Sequence, residues 1–249
     1  MSISADIAKI SYGKKTVLKD VKFELPRGSL TVVIGRTGSG KSTLLSALLS
    51  LLPYEGKIAF DNRLLSDMSH GERALTVTGI LQSLRAPHIT VYELAALGRA
   101  PHIRALCGMT DTDKAAIKNA LFSASVDCLQ NAYLDEISGG ELKRAYFAMA
   151  LSSGAENILF DEATASMDSD YENSFLSLAR TLADGGKTVM SVMHNLEAAV
   201  RYADRIILLD DGGVRFFGRT EELLKTRLIE ETFNVERAIA DGVVFFYSK

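Results

Sequence analysis

Residues 35–42 read Gly35-Arg36-Thr37-Gly38-Ser39-Gly40-Lys41-Ser42, a G-x-x-x-x-G-K-S pattern. The pattern follows the apolar, β-type run Leu30 to Ile34 and leads directly into the apolar, helical run Thr43 to Leu52. Strand, glycine loop and helix in that order are the context in which a P-loop cradles a phosphate chain. Its glycines let the backbone curl until successive N–H groups point inward, and the helix N-terminus adds partial positive charge. Lys41 would then reach the β- and γ-phosphates, and Ser42 would offer its hydroxyl oxygen to Mg²⁺. Glycine turns precede many helices for structural reasons alone; the strand before and the helix after set this one apart. Gly35, Arg36, Thr37, Gly38, Ser39, Gly40, Lys41, Ser42 and Thr43 are the candidate nucleotide-binding positions.

The rest of the composition suits an α/β chain. With 249 residues, 47% of them apolar, one large core or two small ones can be buried. Aliphatic residues are plentiful and Trp is absent. A formal charge of −3 gives no electrostatic reason to expect nucleic acid as a partner. Cys107 and Cys128 are too few and too isolated for a metal cluster or disulfide framework, which fits a reducing compartment. Met1 to Asp6 lacks a basic region followed by an apolar one. No unbroken apolar run approaches the ~18 residues that span a bilayer. The expectation is a soluble, cytoplasmic protein whose membrane role, if any, comes through a partner.

Strand chemistry occupies Ile3 to Ile10, Val17 to Leu25 and Ser29 to Ile34, punctuated by turns at Tyr12-Gly13-Lys14-Lys15 and Pro26-Arg27-Gly28. Lys57 to Phe60 and Thr76 to Leu81 read as further strands, the latter ending at Gln82. From about Thr90 to Leu151 the pattern is helical, broken near Gly108 and at Ser138-Gly139-Gly140. Strands at Glu156 to Phe160 and Thr188 to Met193 then alternate with helices at Asp168 to Ala183 and Leu196 to Ala203. Arg205 to Leu209 and Val214 to Phe217 read as the last strands. This alternation predicts a largely parallel sheet with helices on both faces.

Two further stretches carry chemistry. Asn157-Ile158-Leu159-Phe160-Asp161-Glu162 is an apolar strand ending in two carboxylates, which places them where ligands collect in open α/β sheets. Asp161 would hold Mg²⁺, and Glu162 would polarise an attacking water as general base. Alone, such a pair could be a solvated acidic turn. Ile137-Ser138-Gly139-Gly140-Glu141, ahead of the helical run Leu142 to Leu151, fits a helix N-terminus that offers N–H groups and a hydroxyl to an anion.

On these residues the chain resembles the ATP-binding cassette (ABC) ATPases over nearly its whole length. Gly35–Ser42 matches the family's Walker A motif, Ile158–Glu162 its Walker B motif with the catalytic glutamate, and Ile137–Glu141 its L-S-G-G-Q signature. Tyr12 matches the aromatic residue that stacks on adenine. Gln82 matches the Q-loop glutamine, which joins Mg²⁺ and the lytic water to the transporter interface. Asp168 matches the D-loop aspartate, and His194 the switch histidine. Singly, Tyr12, Gln82 and His194 would be ordinary strand-edge or hydrogen-bonded polar residues; order and spacing promote them. Two departures stand out. Glu141 replaces the usual Gln, putting a carboxylate near, though not on, the γ-phosphate, and Ala163 replaces a Pro common in importers. Neither removes a catalytic group.

The resemblance implies one cassette over residues 1–249: a mostly parallel core sheet, an N-terminal antiparallel β subdomain, and an inserted helical subdomain at about 88–152. It implies ATP and Mg²⁺ as cofactors and catalytic roles for Glu162, His194 and Gln82. Ser138, Gly139 and Gly140 would complete ATP binding from a second copy, in a head-to-tail dimer with ATP at the seam, and Asp168 is a further expected ATP-binding position. Thr90 to His102 and Glu230 to Val235 resemble importers of iron-siderophore, haem and cobalamin type. The implied partners are membrane permease subunits and, indirectly, a substrate-binding protein, at the inner face of the membrane. Competing readings are a cassette of another importer or exporter, a nucleic-acid or ribosome-linked ABC ATPase, a non-hydrolytic adaptor and a P-loop kinase. The acidic charge, the single cassette and the intact Lys41, Asp161 and Glu162 argue against most of these.

Overall fold

The computed structural model describes residues 3–103, 108–162, 169–240 and 242–248, with side chains described outside 169–171. In chain order the elements are β1 (Ile3–Tyr12), β2 (Lys15–Leu25), β3 (Leu30–Gly35), α1 (Lys41–Leu48), β4 (Tyr54–Phe60), β5 (Arg63–Leu64), α2 (His70–Thr76) and β6 (Val77–Ile80). There follow α3 (Val91–Leu97), α4 (Asp111–Ser123), α5 (Gly139–Ser152), β7 (Asn157–Asp161), α6 (Ser169–Asp184), β8 (Thr188–Val192) and α7 (Leu196–Tyr202). The chain closes with β9 (Arg205–Asp210), β10 (Gly213–Arg219), α8 (Thr220–Leu224), α9 (Leu228–Phe233), β11 (Val235–Ala240) and β12 (Val243–Ser248). Two compact units emerge, one of Met1–Asp67 with Leu159–Lys249, the other of Met68–Ile158.

In the first unit an antiparallel sheet runs in the order β2-β1-β4-β5. Strand β1 shows why it forms: Ile3, Ala5 and Ile7 are buried while Asp6 and Ala8 face solvent, the period-two pattern of a half-buried strand. The register against β4 shifts between Ile7 and Lys9, and Gly56 pairs with Ile7 there. A Cβ on Gly56 would stand 2.3 Å from the Asp6 carbonyl oxygen, so the two backbones close over the bulge only around glycine.

The second sheet runs β10-β9-β3-β8-β7. Strand β3 is parallel to β8, with Leu30 opposite Val189, and parallel to β9, with Val32 opposite Ile206. Every residue of β3 is buried, Thr31 included, which is why the sequence there is mostly apolar rather than alternating. Strands β9 and β10 form a hairpin through Asp211 (φ 46°) and Gly212 (φ 74°), left-handed at both positions as a two-residue turn matched to strand twist requires. Lys19 N–H donates to the Gly212 carbonyl at 2.8 Å, tying this turn to β2. Leu176 of α6, Ala199 of α7, Leu223 of α8 and Ile229 of α9 pack with Val32, Ile34, Ile206 and Leu208 in one core.

The second unit is mainly helical. Helices α2, α3, α4 and α5 each start with a capping box, in which a Ser or Thr and the acidic residue three positions on satisfy each other's backbone N–H groups. Gly98 lets α3 approach α5, because a Cβ there would lie 2.2 Å from the Met149 carbonyl. Arg99 is buried with Asp113, Nε to Oδ1 at 3.0 Å, and donates to the Ser152 carbonyl at 2.9 Å. Strand β6 runs beside the first residues of β7, where Asn157 Nδ2 donates to the Thr76 carbonyl at 2.8 Å.

The expected α/β architecture is borne out, with three corrections of detail. Helix α1 stops at Leu48 rather than Leu52. Helix α2 was not anticipated, although Ser69 and Glu72 carry its cap. The last strands are not 205–217: a C-terminal hairpin, β11 with β12, follows, its Phe246 packed on the core of the first unit. The run of β-branched and aromatic residues from Val243 to Tyr247 after an Asp-Gly pair is the sequence signal for it.

Candidate functional site

Gly35 closes β3 and opens the phosphate-type loop at the C-terminal edge of the parallel strands. A Cβ on Gly35 would lie 2.4 Å from the Leu209 carbonyl oxygen, so the loop leaves the sheet pressed against β9. Gly38 (φ 84°) and Gly40 (φ 99°) take left-handed backbone, and Gly40 sits at the cap position of α1. No side chain caps α1, unlike the boxed helices of the second unit. The N–H groups of its first turn have no partner within the helix. The Ser39 hydroxyl is buried without a hydrogen-bond partner among the described residues. An uncapped helix start beside an orphaned buried hydroxyl is a set of donors arranged for an anion.

Lys41 is 5% exposed, and its Nζ donates to the carbonyls of Gly35 at 2.8 Å and Arg36 at 3.1 Å. Burial lowers its pKa, opposed by the charges of Glu162 and Asp161. Ser42 Oγ donates to Asp161 Oδ1 at 3.0 Å, joining the first turn of α1 to the end of β7. Asp161 is 3% exposed; burial raises its pKa, the Ser42 hydrogen bond lowers it, and the neighbouring Glu162 raises it. No group of three or more His, Cys, Asp or Glu able to hold a metal occurs among the described residues. A Mg²⁺ ion here would therefore complete its shell with phosphate and water oxygens, and the Ser42–Asp161 oxygen pair fits such a hard cation.

Glu162 follows immediately, with φ 51°, a left-handed backbone on a non-glycine residue. Its Oε1 lies 2.5 Å from His194 Nε2. His194 is placed by two anchors: Met193 N–H donates to the Val33 carbonyl at 3.1 Å, and Asn195 caps α7 by accepting from Ala198 N–H at 3.1 Å. The first unit thus brings together Gly35–Thr43, Asp161, Glu162 and His194. Tyr12 ends β1 in the same unit, 53% exposed.

The second unit carries the other expected positions. Gln82 is exposed just after β6, and Ser138 is the N-cap of α5, followed by Gly139 and Gly140 in its first turn. Asp168 and Ala163 lie outside the described residues. Sequence reasoning missed what Glu141 does: its Oε2 accepts from Ser138 N–H at 2.8 Å and from the Ser138 hydroxyl at 2.7 Å. The S-x-x-E spacing is the readable signal for that contact. Also missed was the contact of Arg36, whose Nε donates to the Thr232 carbonyl in α9. Arg215 grips the same residue, donating to Thr232 Oγ1 at 2.9 Å and to Glu231 Oε2 at 2.5 Å. No local pattern signals a contact across 196 positions.

A glycine loop between a central parallel strand and a helix, faced by a carboxylate at the end of another strand, defines a P-loop nucleotide-binding domain. The ABC transporter family profile matches residues 18–165. The ferric enterobactin transport ATP-binding protein FepC of Escherichia coli (strain K12) is 33% identical over 238 residues, covering 94% of this chain and 88% of its own. The chain belongs to the ABC transporter family. Among solved structures, a metal-chelate type ABC transporter in an inward-facing conformation superposes with a TM-score of 0.82 at 24% identity, over 99% of this chain and 96% of that one. The dimeric bacterial cassette MJ0796 superposes with a TM-score of 0.77 at 26% identity, over 88% and 99%. No helix of the described residues is long and apolar enough to cross a membrane.

Proposed function

We propose that this chain is the ATP-hydrolysing subunit of an ABC importer that moves metal chelates of the iron-siderophore, haem or cobalamin type. The observation that carries the chemistry is the convergence of Ser42, Asp161, Glu162 and His194 on one phosphate-type loop. The cargo class is supported by the ferric enterobactin relative and the metal-chelate type structure.

In this reading Tyr12 stacks on adenine, the N–H groups of the loop and first turn of α1 receive the phosphates, and Lys41 leaves its two carbonyls for the β- and γ-phosphate oxygens. Ser42 and Asp161 would hold Mg²⁺, which would supply charge neutralisation on the phosphates. Glu162 takes a proton from water as the water oxygen attacks the γ-phosphorus and the bond to the β-bridging oxygen breaks. His194 fixes the Glu162 carboxylate by hydrogen bond. Phosphate and ADP leave, and the proton passes from Glu162 to solvent.

Ser138, Gly139 and Gly140 are assigned to the γ-phosphate of a second copy. Two helix termini from different subunits then share one phosphate, so ATP closes a head-to-tail dimer and hydrolysis opens it. The dimeric MJ0796 cassette supports pairing of two copies. Permease subunits would hold the dimer at the inner face of the membrane and select the cargo together with a binding protein. Phosphate release by the purified chain, abolished by Glu162→Gln with ATP binding retained, tests the assignment. Hydrolysis by that variant at the parent rate overturns it.

A further inference from the structure

The two helix starts assigned above to phosphate are in opposite states. Helix α1 has no side-chain cap, so its first-turn donors are available. Helix α5 has the Ser138 hydroxyl, the Ser138 N–H and the Glu141 N–H engaged in its own capping box. Glu141 Oε2 accepts from the Ser138 hydroxyl at 2.7 Å and from Ser138 N–H at 2.8 Å, and Glu141 N–H donates back to Ser138 Oγ at 3.3 Å. The carboxylate is therefore not merely near the phosphate position, as the sequence suggests. It holds the same hydroxyl that an incoming phosphate needs.

Resting on the proposed two-copy ATP site, we infer that Glu141 is a built-in competitor of the γ-phosphate, which raises the ATP concentration needed to close the dimer. A carboxylate on these donors makes charge-assisted hydrogen bonds, stronger than those of a neutral amide. It also sets one negative charge against another when the phosphate arrives. The N-terminal end of α5 favours any anion, and here a tethered one is always present. Arg144, one turn along, is the nearby cation and partly offsets the carboxylate's charge. A glutamine in place of Glu141 can make the same capping box without the charge. Helix stability and phosphate competition are thereby separable by substitution.

The test uses the full chain carrying Glu162→Gln, which arrests hydrolysis, with and without Glu141→Gln. The ATP concentration giving half-maximal dimer is read by sedimentation velocity at about 50 mM and about 500 mM salt, where screening lengths differ severalfold. Glu141→Gln should lower that concentration about fivefold or more at low salt, with the gap shrinking at high salt. The melting temperature without ATP should fall slightly, because the cap survives but loses its charge. Glu141→Ala should lower the half-maximal ATP concentration as well, while also losing thermal stability with the cap. Equal midpoints with and without Glu141→Gln, or a gap indifferent to salt, overturn the inference alone. Absence of ATP-driven dimer in both chains overturns the two-copy site, and the inference with it.

Discussion

His194 Nε2 and Glu162 Oε1 stand 2.5 Å apart, one supplied by the end of β8 and the other by the end of β7. The histidine is itself braced by the β3 contact of Met193 and the capped start of α7. The carboxylate is thus aimed by a neighbour whose own position depends on the sheet.

Two substitutions separate aiming from chemistry. Glu162→Gln should reduce phosphate release by about 10²-fold or more while leaving ATP affinity in place. His194→Ala should reduce kcat more modestly with little change in KM. Single-turnover phosphate release measures both. Equal losses for the two variants would mean that His194 takes part in proton transfer rather than positioning.

Asp161 makes the free protein sensitive to pH in a defined direction. Its folded pKa lies above the ordinary carboxylate value, chiefly through burial. The folded state therefore holds the proton more tightly than the unfolded one. Its contribution to stability is fully present below the unfolded pKa, about 3.9, and is lost as pH rises through the folded value. Asp161→Asn keeps an acceptor for Ser42 and should flatten that fall, giving a nucleotide-free protein more stable at neutral pH and inactive in hydrolysis. Urea melts across the mildly acidic range read the slope; an unchanged slope refutes the assignment.

Neighbouring glycines of the loop should respond unequally. Gly35→Ala drives a Cβ onto the Leu209 carbonyl, a backbone atom that cannot step aside, and should cost about 2 kcal/mol or more. At Gly38 the added Cβ meets nothing within 4 Å, so only the left-handed backbone is penalised, about 1 kcal/mol. Matched urea midpoints for the two variants would show that the approach to β9 is not what demands glycine at 35.

Tyr12 is half exposed, so its ring is more useful to a ligand than to the core. Tyr12→Ala should weaken nucleotide binding about fivefold, and Tyr12→Phe should weaken it little, since stacking resides in the ring. Titration with a fluorescent ATP analogue distinguishes them. A Phe variant as weak as the Ala variant would assign the contact to the hydroxyl.

What the sequence disclosed follows from which interactions are local. The loop, its strand and its helix are contiguous, and the Asn157–Glu162 strand announces its own carboxylates, so those parts were readable. The run Leu30 to Ile34 was readable as a strand, whereas the complete burial of Thr31 within it was not. The Ser42–Asp161 pairing bridges 119 positions and could be expected only from the order of motifs, never from spacing. The Arg36–Thr232 link had no signal, because a carbonyl acceptor can belong to any residue. The C-terminal hairpin and the capping box of Glu141 did have local signals. The hairpin lay beyond the last strands read, and the capping box was obscured by the reading of Glu141 as an altered signature residue.

The backbone at Glu162 carries one more consequence. A left-handed φ of 51° is easy for glycine, tolerable for asparagine, and costs an ordinary L residue about 1 kcal/mol. If folding alone chose the residue at 162, it would not choose glutamate. Engineering this chain for heat resistance without a turnover assay would then favour replacing Glu162, and the survivor would be a sturdier protein that grips ATP and cannot let it go.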